Sequence, residues 1–232
     1  MLRPRSLIIA AGATYHVASR GVRRSPIAYD DFDRTWFFQD LAEVVRRLGW
    51  HCHAYCLMTN HYHLLVRTPE PDLSVGMWTL NQRHALRINR RHGFAGHAFE
   101  ARFFAELIDD ESHFVTLARY IDQNPVRAGL CQRAEAWRWS GCAATLGLRS
   151  WPSFFDPSDV LEYYSADIAS ARQMYALSLQ DFSRPDRSHV PSRHVPSPGL
   201  GTVPVQPNPY VPANRSASRR TSSAPGRPTT FR

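Results

Sequence analysis

Apolar residues along this chain change period several times, and each change marks an element. TYHVASR over 14–20 reads as a short strand that ends at Gly21 and an arginine-rich turn. Over 31–48 the apolar residues Phe32, Trp36, Phe37, Leu41, Val44, Val45 and Leu48 recur at helical spacing, with Asp30 or Asp31 to cap the helix and Gly49 to stop it. The next segment, 50–58, is strand-like; Thr59-Asn60 supplies a two-residue turn, and 61–67 is the following strand, closed by Thr68-Pro69. A second helix spans 73–91 and ends at His92-Gly93, a long aromatic-rich strand spans 97–108, and a third helix spans 112–124 until Pro125 interrupts it. Beyond Leu130 the pattern weakens to a Trp-rich segment and a helix over 159–179. The order β-α-β-β-α-β-α is that of an α+β fold of the ferredoxin-like or RRM-like kind. It implies an antiparallel four-stranded sheet with two helices on one face. The third helix is extra to that core and suited to cover the other face. No internal repeat is visible.

The hairpin turn fixes a register. With Thr59-Asn60 at its tip, Met58 lies opposite His61, Cys56 opposite His63 and Ala54 opposite Leu65. Side chains alternate along a strand, so Tyr62, Leu64 and Val66 join Tyr55 and Leu57 on the helix-covered face, and His53 falls on that side too. His61 and His63 point to the opposite face. Two imidazoles from one strand face can share a metal ion but cannot complete a site. A third ligand and a reactive group have to come from elsewhere, and the third helix offers Tyr120 and Asn124, one turn apart, with Gln123 as an alternative to Asn124. Spacing by itself leaves two readings open here, a functional site and ordinary packing at a helix end.

Composition divides the chain near residue 182. Residues 182–232 hold 10 of the 17 prolines, with serine and arginine filling much of the rest, and too little apolar surface to offset the entropy of ordering. The expected organisation is a domain over 1–150, a helical extension over 151–181 and a disordered Arg/Pro/Ser-rich tail over 182–232. The tail also owns most of the net charge of +8, with eight arginines against Asp186. Residues 1–181 are nearly balanced, so the high isoelectric point does not by itself mark the fold as a nucleic-acid binder. Local clusters carry more information: Arg83, Arg87, Arg90, Arg91 and Arg102 form one, opposed only by Glu100, and Arg20, Arg23 and Arg24 form another. The structural alternative for each is a solvated helix or loop face. Cys52, Cys56, Cys131 and Cys142 have neither disulfide-framework spacing nor paired CxxC knuckles. No stretch approaches a membrane span. The expectation is a cytoplasmic protein with reduced thiols, associated with the nucleoid when bound to DNA.

Four segments together, "SRG", "HAYCLMTNHYHLL", "NRRHG…GHAFEARFF" and "ARYIDQNPVRAGL", resemble the REP-associated tyrosine transposases. These are relatives of the small IS200-like single-tyrosine transposases of the HUH endonuclease superfamily. The resemblance runs from about residue 10 to residue 142. It implies that His61 and His63 are metal ligands and Tyr120 is the nucleophile, with Asn124, or else Gln123, at the third ligand position. It implies Mg²⁺ or Mn²⁺ as the cofactor and single-stranded DNA, folded as palindromic repeat hairpins, as the partner. The expected reaction is cleavage and rejoining through a 5′-phosphotyrosine, by a monomer or homodimer. Arg20, Arg23, Arg24, Arg83, Arg87, Arg90, Arg91 and Arg102 would hold phosphates, and Phe103 or Phe104 would stack on bases. The chain departs from the family pattern at Thr59, Val22, Asp122-Gln123 and Glu100-Ala101, and Asp122 and Glu100 would bring negative charge close to the DNA. Three rivals remain: a non-catalytic nucleic-acid module with an open RRM-like sheet, a zinc-stabilised protein using Cys52, Cys56 and the histidines, and a degenerate transposase that binds without cleaving.

Overall fold

The computed structural model describes residues 9–180, and the expected tail over 182–232 lies outside the described residues. Seven elements follow in the expected order: β1 (Ala13–Arg20), α1 (Asp31–Leu48), β2 (His51–Leu57), β3 (His61–Thr68), α2 (Leu73–His92), β4 (Phe104–Ile108) and α3 (Glu111–Arg127). The strands form one sheet in the order β2-β3-β1-β4, antiparallel at every pairing. This is the ferredoxin-like arrangement. Three short pieces follow: α4 (Cys142–Thr145), α5 (Ser158–Glu162) and α6 (Ile168–Gln180). Among the described residues no helix is long and apolar enough to cross a membrane.

Local chemistry sets the helix ends. The Asp30 carboxylate accepts from the N–H groups of Phe32 and Asp33 at the start of α1, and Asp110 accepts from the His113 N–H at the start of α3. At the end of α1, Gly49 takes the left-handed conformation (φ 65°) that a side chain would resist.

The sheet has two covered faces. On one, Tyr15, Val17, Tyr55, Leu57, Tyr62, Leu64 and Val66 pack against Phe37, Leu41 and Val44 of α1 and Leu73, Met77 and Leu80 of α2. Each such side chain contributes roughly 1.5–3 kcal/mol by leaving water. On the other, Ala54, Cys56, Met58 and Leu65 lie under Leu117, Ala118 and Ile121 of α3, with α5 and α6 behind them. The outer edge of β2 is not exposed either. Backbone of the Trp139–Gly141 stretch pairs with Tyr55 and Leu57, and Asp156 donates to Cys52. Trp151, Phe154 and Phe155 join the same packing, so no break in the core occurs near residue 150.

Four expectations need correction. The single helix expected over 159–179 is two, α5 and α6, separated by residues 163–167. The strand expected over 97–108 is regular only from Phe104. Before it the chain makes a single bridge, Gly21 to Phe99, and turns Phe103 into the core. The third helix does not stop at Pro125 but continues to Arg127. The missing proline N–H falls in the last turn, where the Ala128 N–H still closes onto the Asn124 carbonyl. His53 is on the other face from Tyr55. A bulge between Cys52 and Ala54 shifts the pairing by one residue and swings its ring against Phe114 of α3.

Candidate active site

The hairpin register is as the alternation requires. Cys56 pairs with His63 and Leu57 with Tyr62, so Tyr62 enters the α1–α2 core while His63 faces α3. β1 runs along the other side of β3, with Ala18 opposite His63 and Arg20 opposite His61. Arg20 therefore stands beside the first histidine at the open end of the sheet. The SRG turn follows at once. Gly21 donates to the Asn60 carbonyl at 2.8 Å, and a Cβ at this position would lie 2.1 Å from the Ser25 carbonyl oxygen, so the turn accepts only glycine. Arg23 and Arg24 follow, exposed and both left-handed (φ 52° and 61°), a conformation that costs about 1 kcal/mol per residue. A buried network steadies this end of the sheet. The Tyr62 hydroxyl donates to Asn81 at 2.5 Å, and the Asn81 amide donates to the Ser19 hydroxyl and to the Arg102 carbonyl.

α3 brings the tyrosine. The Tyr120 ring stands edge-on to His63 with centroids 5.6 Å apart and to His16 at 6.2 Å, and the Arg127 guanidinium lies 4.9 Å from its centroid. One turn on, Asn124 Oδ1 is 3.4 Å from His61 Nε2. The rings of His61 and His63 are 5.1 Å apart. Burial lowers the pKa of both histidines, and Arg20 lowers both further. For His63 the shift is large, with His16, His61 and Arg127 adding to it. Both rings are therefore neutral near pH 7 and keep a lone pair to offer. Among the described residues no three His, Cys, Asp or Glu side chains converge on one point. An ion here would depend on two imidazoles and the amide oxygen of Asn124. That donor set fits a divalent cation and leaves its charge uncompensated, which suits an anionic phosphate as the next ligand.

The structure separates the remaining candidates. Gln123 turns away from the histidines and donates to the Leu179 carbonyl at 2.7 Å, so the alternative to Asn124 is removed from the site. Asp122 does not approach it either. It is buried against α6, where the Tyr175 hydroxyl donates to it at 2.8 Å, and burial raises its pKa to about 7. Of the arginines, Arg20, Arg23, Arg24 and Arg102 lie at the His61 end of the sheet. Arg83 and Arg87 instead face Asp40, and Arg91 pairs with Asp30 and Asp33, all across the α1–α2 seam on the other side of the sheet. Arg90 is exposed near the end of the same helix. Phe103 is core, whereas Phe104 remains 38% exposed beside His16.

Three site residues escape a reading by spacing. His16 is buried on β1 and hydrogen-bonds His63, Nε2 to Nδ1 at 3.0 Å. Alternation along TYHVASR could have found it, since Tyr15 and Val17 are core and the residue between them must face α3. Arg127 lies in the NPVRAG segment, seven residues after Tyr120 and so two turns on, on the same side of α3. Asn60 reads in the sequence only as a turn residue, yet its amide contacts both His61 and the backbone of the arginine loop.

A model of the family described as "Transposase IS200 like" matches residues 10–124, a span that holds β1 through the Tyr120–Asn124 turn. The chain belongs to the IS200-like transposase family. Among solved structures, this IS200-like transposase is similar to a REP-associated tyrosine transposase bound to a REP hairpin. The TM-score is 0.53 at 18% identity, over 67% of this chain and 92% of that one. That likeness is one of fold. No curated protein matches. The rival folds and sites fail on geometry. An RRM-like platform needs an open sheet face, and in this transposase α3 covers it. A zinc site through Cys52 and Cys56 is barred because the two side chains lie on opposite faces, and burial holds both thiols protonated.

Proposed function

We propose that this transposase cleaves and rejoins single-stranded DNA, with Tyr120 as nucleophile and His61, His63 and Asn124 as ligands of Mg²⁺ or Mn²⁺. The observation that carries the reading is the placement of Tyr120 on α3 edge-on to His63, with Asn124 one turn further at His61. The Tyr120 oxygen would attack the scissile phosphorus, the phenol losing its proton, while the bond from phosphorus to the 3′-oxygen breaks. The products are a 5′-phosphotyrosine and a free 3′-hydroxyl, and attack by another 3′-hydroxyl rejoins the strand without an external energy source. Bound metal would supply Lewis-acid polarisation of the phosphate. Arg127, lying over the Tyr120 ring, holds that ring in place and adds positive charge beside the attacked phosphate. Arg20 with the Arg23–Arg24 loop offers cations where the backbone would enter, and Phe104 offers an exposed ring. A structurally similar transposase is bound to a REP hairpin, and a hairpin-forming repeat is the substrate proposed for this chain.

The test is incubation of the full-length protein with labelled single-stranded hairpin DNA, drawn from repeats flanking its gene, and Mn²⁺, followed by a denaturing gel. A covalent protein–DNA band is expected for wild type and absent for Tyr120→Phe. His61→Ala should lower its rate by about 100-fold or more, the several kcal/mol that metal polarisation supplies. A band that survives Tyr120→Phe would transfer the nucleophile's role to another residue. Hairpin binding with no band would leave a DNA-binding protein without this chemistry.

A further inference from the structure

Resting on that reading of the metal site, we infer that Asn60 and His16 are positioning residues that fix which ring nitrogen of His61 and His63 carries hydrogen, leaving Nε2 of both rings bare for the ion. The chain of contacts begins at a backbone carbonyl, which can only accept. The Asn60 amide nitrogen donates to the Arg24 carbonyl at 3.1 Å, so its orientation is fixed and its oxygen is the end facing His61. That oxygen lies 2.7 Å from His61 Nδ1. An amide oxygen is an acceptor, so Nδ1 is the donor and Nε2 holds the lone pair.

Asn124 is oriented in the same manner. Its amide nitrogen turns to the Tyr120 carbonyl at 3.5 Å and its oxygen to His61 Nε2 at 3.4 Å. Two lone-pair-bearing atoms then face each other with no hydrogen between them. In the protein alone that contact is repulsive, and a cation drawn toward both atoms reverses its sign.

His63 has a matching arrangement. The Glu106 carboxylate lies 3.7 Å from His16 Nδ1 and favours hydrogen on that nitrogen, so His16 Nε2 accepts from His63 Nδ1 at 3.0 Å. Carboxylate, imidazole and imidazole form a line from β4 across β1 to β3. The consequence reaches beyond the histidines. Arg24 belongs to the left-handed arginine loop, so the loop that offers cations to the DNA and the tautomer that offers a lone pair to the metal hang on one side chain, Asn60. Groups that orient metal-binding histidines in this way typically change metal affinity about 10–100-fold when removed.

The test begins with metal-free, full-length protein labelled with ¹⁵N-histidine and examined by long-range ¹H–¹⁵N correlation at neutral pH. Both His61 and His63 should show the pattern of hydrogen on Nδ1, and hydrogen on Nε2 of either ring overturns the inference for that ring. Asn60→Ala should mix the His61 tautomers and weaken Mn²⁺ binding, read by electron paramagnetic resonance of free Mn²⁺, about 10–100-fold. Asn60→Asp keeps the acceptor for His61 while losing the donor to Arg24. It should retain both the wild-type tautomer and Mn²⁺ affinity within a few-fold. If Asn60→Asp fails on both measures as Asn60→Ala does, Asn60 acts only by tethering the loop, and the inference is wrong. His16→Phe should disturb the His63 signals and leave those of His61. The metal-free spectrum decides the inference by itself, whereas Mn²⁺ binding that persists in His61→Ala overturns the metal reading beneath it.

Discussion

Asp33 has no exposed side-chain surface, yet it is ionised. Burial alone would raise its pKa, but the Tyr29 N–H at 2.8 Å, the Arg91 guanidinium and the His92 ring outweigh that effect and hold the carboxyl below its usual range. Because the folded pKa is depressed, the folded state binds protons less readily than the unfolded chain does. The stabilisation is therefore fully present above about pH 4, the unfolded value, and is lost as pH falls through the folded pKa. Asp33→Asn keeps an acceptor for Tyr29 but leaves Arg91 to share Asp30 alone. We expect a loss of about 2 kcal/mol at pH 7, a conservative value for breaking a partly screened pair. The loss should begin to shrink as pH falls below about 4 and approach zero only below the folded pKa. Urea titrations of both proteins at pH 7 and pH 3.5 check this, and an equal difference at both pH values would mean that charge is not what Asp33 contributes.

The same logic operates between elements at α3 and α6. Helix α3 is held from behind by the Tyr175 hydroxyl on Asp122 and by the Gln123 amide on the Leu179 carbonyl, while Ala171, Tyr175 and Leu179 pack beneath it. Tyr175→Phe removes the hydroxyl donor from a buried carboxyl that would keep only the Cys142 thiol as a side-chain donor. About 1–3 kcal/mol of stability should go with it, measurable by denaturant unfolding. An unchanged midpoint would show that α6 docks by apolar packing alone. Much of this level was legible beforehand. Asp30, Gly49 and Gly93 are local signals and they end the helices where local rules put them. The hairpin register followed from two turn residues, and with it the facing of His61 and His63. What could not be read depends on partners distant in sequence. The bulge at His53 is set by packing against Phe114, Pro125 is tolerated because it falls in a last turn, and Phe103 leaves its strand for the core. The resemblance implies Asp122 close to the DNA, as a departure from the family pattern beside Tyr120. A helix puts such neighbours on different faces, and only α6, invisible to the motif, says what covers it.

Across the whole molecule, charge is sorted by sheet face more than by cluster. Residues 1–181 carry 20 arginines against 19 acidic residues, so a field from net charge is not what would bring DNA to the site. Position decides instead. The α2 arginines at 83, 87 and 91 lie in a row by sequence, but Asp33 and Asp40 of α1 and its cap Asp30 meet them, and Trp36 lies under Arg87 and Arg91. Their charge is largely spent inside the fold. Arg20, Arg24 and Arg102 belong to the other end, where the His61 ring, the SRG turn and the start of β4 meet. Each phosphate contact on a single strand contributes about 0.7 to the slope of log affinity against log salt. Arg20→Gln should therefore flatten that slope for the proposed hairpin substrate by about 0.7. Arg87→Gln should leave it unchanged, even though both substitutions remove one positive charge from the same protein. Affinities measured from 50 to 300 mM salt distinguish the cases. Equal flattening in the two variants would mean that DNA wraps past the helix-covered face as well. The cleft between α3 and the sheet would then be one part of a larger binding surface.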